Sequence, residues 1–501
     1  MKKVLSISMI CLIGMVMFSS CFFNKLSDEK QIKSFVITAP YTVGVINENS
    51  RTITVDVPEG TDVTALIPSI VVSDNAVVEP ASGVPQNFTN PVSYKVTAEN
   101  GSNVTYVVTV TVGGVGPGPG GDPVEINENI NANTTWKDLG LPVDYIIDGW
   151  IYIEGNALLT IEPGVTIMFT GNNGGMTVEE NAGLRMVGTA DKPIQFVGPT
   201  NNPNNGSWGH IALDSKRNDN VWEYVEFIRG GSDEEKWAAV VDIQDAWVSM
   251  KHCTIDGSLG SGLDIEYENS KFLAFENNTI KNCAQYPLVV DYGKALLSLK
   301  GNNTFTSNGK NYVFYNRSYI DNVENVTLVK MPVPYFFEYG LSLTEPHKVT
   351  IEAGTELVFG QGQDFYVADD ATLVAEGTAA APIVCRGMEN EIGYWKGIRY
   401  HSTKEASVMR YCTVSNCGEN EADFYSACLS IWDNARLTMT NCTFGNCRHY
   451  GIALDGIEDL NNVAHGNITF TGCAAGNVFV ESGGTYKGVE YEDGQVLDAL
   501  P

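Results

Sequence analysis

Positive charge is scarce in this 501-residue chain: 31 Lys and Arg stand against 60 Asp and Glu, a formal net charge of −29 at pH 7. That field repels a phosphate backbone and an anionic bilayer surface, which argues against nucleic acid or lipid headgroups as partners. A polyanionic substrate is disfavoured too, unless calcium bridges it. Charge of either sign is sparse at 18% of residues, and Asn, Gly, Thr and Ser carry much of the polarity instead. Catalytic signatures are also missing. There is no serine elbow, phosphate loop, dinucleotide fingerprint, HExxH motif or EF-hand loop. His210, His252, His347, His401, His449 and His465 are scattered and form no spaced ligand set. After the first twenty residues no second long apolar run occurs.

The start of the chain reads as a processing signal. Lys2 and Lys3 precede an apolar run from Val4 to Phe18, too short for a comfortable membrane span. It closes in Phe18-Ser19-Ser20-Cys21. This resembles a bacterial lipobox, with Phe18 where that pattern prefers Leu. The resemblance implies a signal peptide over 1–20, a lipid on Cys21 and a tether over 21–31. An ordinary secretory signal with an incidental cysteine is the alternative. Ser27, Asp28 and Glu29 resemble the acidic export patch of Bacteroidetes-type lipoproteins. The expectation is an outer-membrane-anchored lipoprotein, at the cell surface or facing the periplasm, touching membrane only through its lipid.

Residues 32–112 carry period-two runs bounded by Gly, Pro, Asn and Asp, at Ile53 to Val57, Tyr94 to Val96 and Val104 to Val112. They predict a small sandwich of antiparallel sheets. Val57-Pro58-Glu59-Gly60-Thr61-Asp62-Val63 and Tyr94-Lys95-Val96-Thr97-Ala98-Glu99-Asn100-Gly101 resemble the immunoglobulin-like modules found near the N-termini of Bacteroidetes-type lipoproteins. Asn100-Gly101 predicts a tight turn. A glycine and proline run over 113–123 reads as a linker.

The remainder, 124–501, is repetitive. A short pattern places Thr before a β-branched or aromatic residue and ends in small polar residues with Asn or Cys. It recurs at Thr254, Thr279, Thr304, Thr413, Thr443 and Thr469, spaced 25, 25, 109, 30 and 26 residues apart. These are coil-length intervals. One coil cannot bury its own apolar side, but stacked coils can. Alternation sends Ile255, Ile280, Phe305, Val414, Phe444 and Phe470 inward and the threonines outward. A longer module is duplicated over about 159–231 and 349–418. Leu159-Thr160-Ile161-Glu162 matches Val349-Thr350-Ile351-Glu352. Gly188-Thr189-Ala190 matches Gly377-Thr378-Ala379, Trp208 matches Trp395, and Tyr224 matches Tyr411, at offsets of 190, 189, 187 and 187. The predicted fold class is all-β: an immunoglobulin-like sandwich followed by a right-handed single-stranded parallel β-helix. The arrangement resembles the β-helices of exported lipoproteins of unknown role, which share the architecture of pectate lyases.

That stacking absorbs most residues that look chemical. Cys412 with Cys417 and Cys442 with Cys447 repeat at an offset of 30. A four-thiolate zinc site is one reading, but the stacking favours buried or turn-stacked thiols, with a disulfide between coils second. Trp208 and Trp395 read as structural equivalents, which leaves Trp237, Trp247 and Trp432 as sugar-facing candidates. Asp242, Asp264, Glu266 and Asp455 are the acidic candidates. Asp455 resembles Asp264 in context, as Leu454-Asp455 against Leu263-Asp264. Such carboxylates serve glycoside hydrolysis or hold calcium, or simply form a solvated face. No catalytic residue and no metal ligand is assigned, and no cofactor beyond possible calcium is implied. The leading expectation is a non-catalytic envelope protein that binds glycan or another macromolecule along the solenoid. A polysaccharide lyase or glycoside hydrolase working in a groove is the first alternative. A structural or adhesive protein with a cell-surface protein partner is the second.

Overall fold

The computed structural model describes residues 26–39, 41–57, 60–112, 122–236, 238–320, 323–344, 348–418, 424–432 and 434–501. The expected signal peptide over 1–20, Cys21, most of the expected linker, Trp237 and His347 lie outside these residues. The chain divides into two compact units at residues 114 and 115.

In the first unit a three-stranded sheet faces a five-stranded one. Phe35, Ile53, Val55, Tyr94, Val96, Tyr106 and Val108 fill the space between them. The alternating runs form the strands Thr52–Val57, Val92–Thr97 and Asn103–Val112. The last two make an antiparallel hairpin. Its turn is Asn100-Gly101: Gly101 has φ +83°, and Asn100 Oδ1 accepts the Ser102 N–H. One expectation fails here. Thr52–Val57 pairs with Asn103–Val112 in parallel, so the sandwich is not wholly antiparallel. The chain between the two strands crosses to other strands and re-enters in the original direction, as a parallel pair requires.

The second unit is a parallel β-solenoid, each coil placing strands on successive sheets. A 13-stranded sheet runs through it, from Trp150–Ile153 to Thr469–Thr471. In the first half the other faces are an eight-stranded sheet, ending at Thr304–Thr306, and a six-stranded one, ending at Lys271–Glu276. In the second half they are a new six-stranded sheet beginning at Asn325–Leu328 and a seven-stranded one beginning at Leu341–Leu343.

The rung residues stack as the periodicity requires. Ile255 pairs with Ile280 and Ile280 with Phe305. Val414 pairs with Phe444 and Phe444 with Phe470. All but the partly buried Phe470 belong to the continuous core. Polar ladders tie the turns. Asn278 Oδ1 accepts the Cys253 N–H, and Asn303 Oδ1 accepts the Asn278 N–H. Each side chain thereby satisfies a buried backbone group of the coil before it.

The duplication is not superposed face on face. Thr166–Phe169 lies on the eight-stranded sheet, whereas its copy Glu356–Phe359 lies on the 13-stranded sheet. Ile211–Leu213 lies on the 13-stranded sheet and its copy, Gly397–Tyr400, on the seven-stranded one. The second module is therefore advanced by one face. The core positions are nevertheless kept. Trp208 stacks on Phe169 and Trp395 on Phe359, with ring centroids 4.9 and 4.4 Å apart. Each indole N–H donates to a backbone carbonyl, of Ile228 and Ser415 respectively, at 2.8 Å. Among the described residues no helix is long and apolar enough to cross a membrane.

Candidate functional site

Two sites emerge, one on the coils that follow the first module and one on the second module and the coils that follow it. The first is an acidic strip on the outer face of the 13-stranded sheet. In the strands Ala239–Gln244 and Ser261–Glu266, Asp242 lies beside Asp264 and Gln244 beside Glu266. Asp291 follows in the next coil, its N–H donating to Ile265 O. Alternation explains the placement. Leu263 and Ile265 point into the core, so Asp264 and Glu266 point out.

Pointing outward does not leave Asp264 solvated. It is fully buried, and neither carboxylate oxygen has a hydrogen-bond partner among the described residues. Burial pushes its carboxyl far above the ordinary range, and Asp291, Asp242 and Glu266 add repulsion. Burial, followed by repulsion from Glu266, pushes Asp242 up to about 7. Glu266 and Asp291 are raised mainly by burial as well. Arg317 is the nearby cation. Its Nε donates to the backbone oxygen of Asp291 at 3.1 Å, and its guanidinium stacks 3.9 Å from the Tyr292 ring. Burial favours the protonated form of these carboxyls, most strongly at Asp264, because an uncompensated buried charge is costly.

The second site is a cleft of about 560 Å³ lined by Asp364, Tyr366, Lys396, Arg399, His401, Tyr425 and Trp432. It lies over the seven-stranded sheet. His401, Trp432 and Asp455 follow the paired strand residues Tyr400, Ile431 and Leu454, and so share one column. His401 stacks on Trp432, with centroids 4.2 Å apart at 23°. Tyr366 and Tyr425 flank them at 5.0 and 5.5 Å. Arg399 pairs with Asp364 at 3.1 Å and lies over the Tyr425 ring. Burial keeps the His401 imidazole below its ordinary range, so it stacks as the neutral ring. The Trp432 Nε1–H is buried without an acceptor among the described residues.

The sequence candidates are thus divided. Asp242, Asp264 and Glu266 converge in the strip, and Trp432 lines the cleft, while Asp455 follows Trp432 in the same column without lining it. Trp247 sits apart, on the first-half six-stranded sheet, with Lys271 Nζ 4.0 Å from its ring. The equivalence of Asp455 with Asp264 is corrected. Ile452 and Leu454 are the inward residues, so Asp455 falls one step beyond the rung and matches Glu266. Asp264 matches Ala453. The cysteine reading also changes, because Cys417 forms a disulfide with Cys428 eleven residues on. This links neighbouring sheets of one coil rather than stacking between coils. Asp291, Arg317, Tyr366, Arg399, His401 and Tyr425 were not singled out from the sequence. For Arg399 and His401 a signal existed: Ile211-Ala212-Leu213-Asp214 aligns with Ile398-Arg399-Tyr400-His401, just past the matched tryptophans.

Comparison with known proteins divides along the same two units. Residues 32–110 match the family described as SGBP, N-terminal. Residues 129–231 match the pectate-lyase-like β-helix domain family, which agrees with the parallel solenoid. No curated protein matches the chain. A solved structure from Bacteroides thetaiotaomicron, provisionally described as a glycoside hydrolase, is 29% identical over 19% of this chain, with a TM-score of 0.16. The match spans 28% of that chain, and the score is too low to bear on fold or activity here.

Proposed function

We propose that this chain is a non-catalytic envelope protein that binds glycan in the cleft of Tyr366, His401, Tyr425 and Trp432. The observation that carries the reading is Trp432. Its partly exposed ring lines the open cleft together with three other aromatic rings, those of His401, Tyr366 and Tyr425. Aromatic faces pack on apolar sugar faces, and the Arg399–Asp364 pair offers polar contacts beside them. The SGBP-type N-terminal match supports the same reading, since that class is glycan-binding. We further propose that lipid on Cys21 anchors the chain in the outer membrane. Labelled palmitate should enter the wild type and not Cys21→Ser.

The test is titration of the full chain against a panel of polysaccharides. A bound polysaccharide should lose at least about tenfold affinity, on the order of 1.4 kcal/mol, in Trp432→Ala. Trp247→Ala should bind as the wild type does, because its ring lies over another sheet. If no polysaccharide binds, a protein partner replaces the glycan.

A second reading has its own support. Asp242, Asp264 and Asp291 repel one another across the strip, Arg317 lies beside Asp291, and the Asp242 carboxyl, at about 7, has the proton affinity a general acid needs. Against it, Asp264 is sealed from solvent. Release of reducing ends that stops in Asp242→Asn would establish the enzyme; its absence on every bound polysaccharide would remove it.

A further inference from the structure

Four sulfur atoms lie in a row in the second half, and neither the cleft nor the strip uses them. Cys417, Cys447 and Cys473 occupy the same turn in three successive coils. The Arg448 N–H donates to Cys417 O and the Ala474 N–H to Cys447 O, at 2.9 and 3.2 Å. Cys428, in the strand Ala427–Ile431, reaches across from the neighbouring sheet and closes the disulfide with Cys417. Beyond that bond the row continues. Cys428 Sγ is 2.8 Å from Cys447 Sγ, and Cys447 Sγ is 3.2 Å from Cys473 Sγ. Cys417, Cys428 and Cys447 are buried, while Cys473 is partly exposed.

A zinc ion does not suit this geometry. Among the described residues only Cys417, Cys428 and Cys447 have mutually close sulfurs, and two of these are joined as a disulfide, so no thiolate set for zinc is present. A row with a disulfide at its buried end and two thiols beside it suits sulfur exchange instead. We propose that the disulfide migrates along this row, and that Cys473 is the site where it exchanges with small-molecule thiols and disulfides. This inference is independent of the glycan reading.

The chemistry balances without an outside oxidant. In a transient transfer against the resting preference, Cys473, as thiolate, takes the proton of Cys447. The Cys447 thiolate attacks Cys428 Sγ, the Cys428–Cys417 bond breaks, and Cys417 leaves as a thiolate that takes up one proton, relayed to its buried site through the partly exposed end of the row. Cys473 then loses its proton and attacks Cys447 Sγ. The Cys447–Cys428 bond breaks, Cys428 leaves and is protonated, and the disulfide stands at Cys447–Cys473. One disulfide and two thiols are present before and after. Hydrogen bonding from Cys447 holds the Cys473 thiol below its ordinary range, and the same contact, with burial, pushes Cys447 up. That split favours a thiolate at the exposed end, where exchange with external sulfur begins.

The test is disulfide mapping of the full chain. The protein, purified without reductant, is incubated in a glutathione redox buffer, trapped with N-ethylmaleimide in denaturant and digested with trypsin. The starting disulfide lies within peptide 411–436, whereas the products join 411–436 to 437–448 and 437–448 to 449–487. Both inter-peptide links should appear. They should persist in Cys442→Ser, which removes the other cysteine of 437–448, and the second link should vanish in Cys473→Ser. Finding only the Cys417–Cys428 bond, with Cys447 and Cys473 fully alkylated, would overturn the proposal. So would one tightly bound zinc per chain that blocks alkylation until chelated.

Discussion

Replacing Asp242 by Asn removes a titration that the fold makes unfavourable. In the unfolded chain this carboxyl has an ordinary value near 3.8, and in the folded chain it sits at about 7. A group raised by folding binds its proton more tightly in the native state. Its contribution is therefore fully present below pH 3.8, declines as pH rises toward 7, and is flat above that. At about 1.4 kcal/mol per pH unit, the full penalty at pH 8 is on the order of 4 kcal/mol. About 3 kcal/mol of it falls between pH 5 and 8. The amide that replaces the carboxyl cannot titrate, so the stability of Asp242→Asn relative to wild type should rise by roughly that amount from pH 5 to 8. The value is an upper bound, because Glu266 and Asp291 share the repulsion and will readjust. Hydrogen exchange of the amides in Ala239–Gln244 and Ser261–Glu266 is the suitable assay. It reports local opening, and a long solenoid need not unfold in two states. If variant and wild type show the same pH dependence, the strip is solvated in solution and the burial argument is wrong.

Three further outcomes follow from the packing. Asp264→Asn should stabilise the same strands at pH 8, and Glu266→Gln should bring the Asp242 carboxyl down, which a chemical-shift titration would detect. Trp208→Ala and Trp395→Ala should each cost about 3–5 kcal/mol in thermal or denaturant unfolding, and by similar amounts, because each ring makes the same stack and the same carbonyl bond. Asn278→Ala leaves the Cys253 N–H and the Met250 carbonyl short of a partner. It should cost roughly 1–3 kcal/mol, with faster exchange confined to the coils on either side.

Legibility followed the physics of stacking. Inward rungs such as Ile255, Ile280 and Phe305 were readable because every coil needs an apolar residue there, so the pattern repeats. Asn278 and Cys417 were readable as turn columns for the same reason. The disulfide was not, because Cys428 lies outside the repeated pattern and reaches its partner across a change of sheet. Outer-face chemistry was only half readable. Asp242, Asp264 and Glu266 could be set on one face by alternation, but nothing in the sequence says that Asp264 is sealed. His401 and Tyr425 carry no motif; they become a site only once the coil brings them against Trp432.

The one-face advance of the second module sharpens what the duplication means. Inward positions are kept through it, as Trp208 and Trp395 demonstrate, since a core rung must fill its space whichever sheet carries it. Outward positions are under no such constraint. Ala212 in the first module corresponds to Arg399 in the second, and in the coils stacked after them Asp242 and Asp264 correspond to Ser430 and Ala453, and Gln244 and Glu266 to Trp432 and Asp455. One scaffold thus presents carboxyls at one set of positions and an aromatic cleft at its copy. A ligand that suits the cleft has no reason to suit the strip. The two sites should therefore be separable by mutation, with Trp432→Ala leaving the pH dependence of the strip intact and Asp242→Asn leaving glycan affinity intact. Coupling between them would mean that the modules act as one surface.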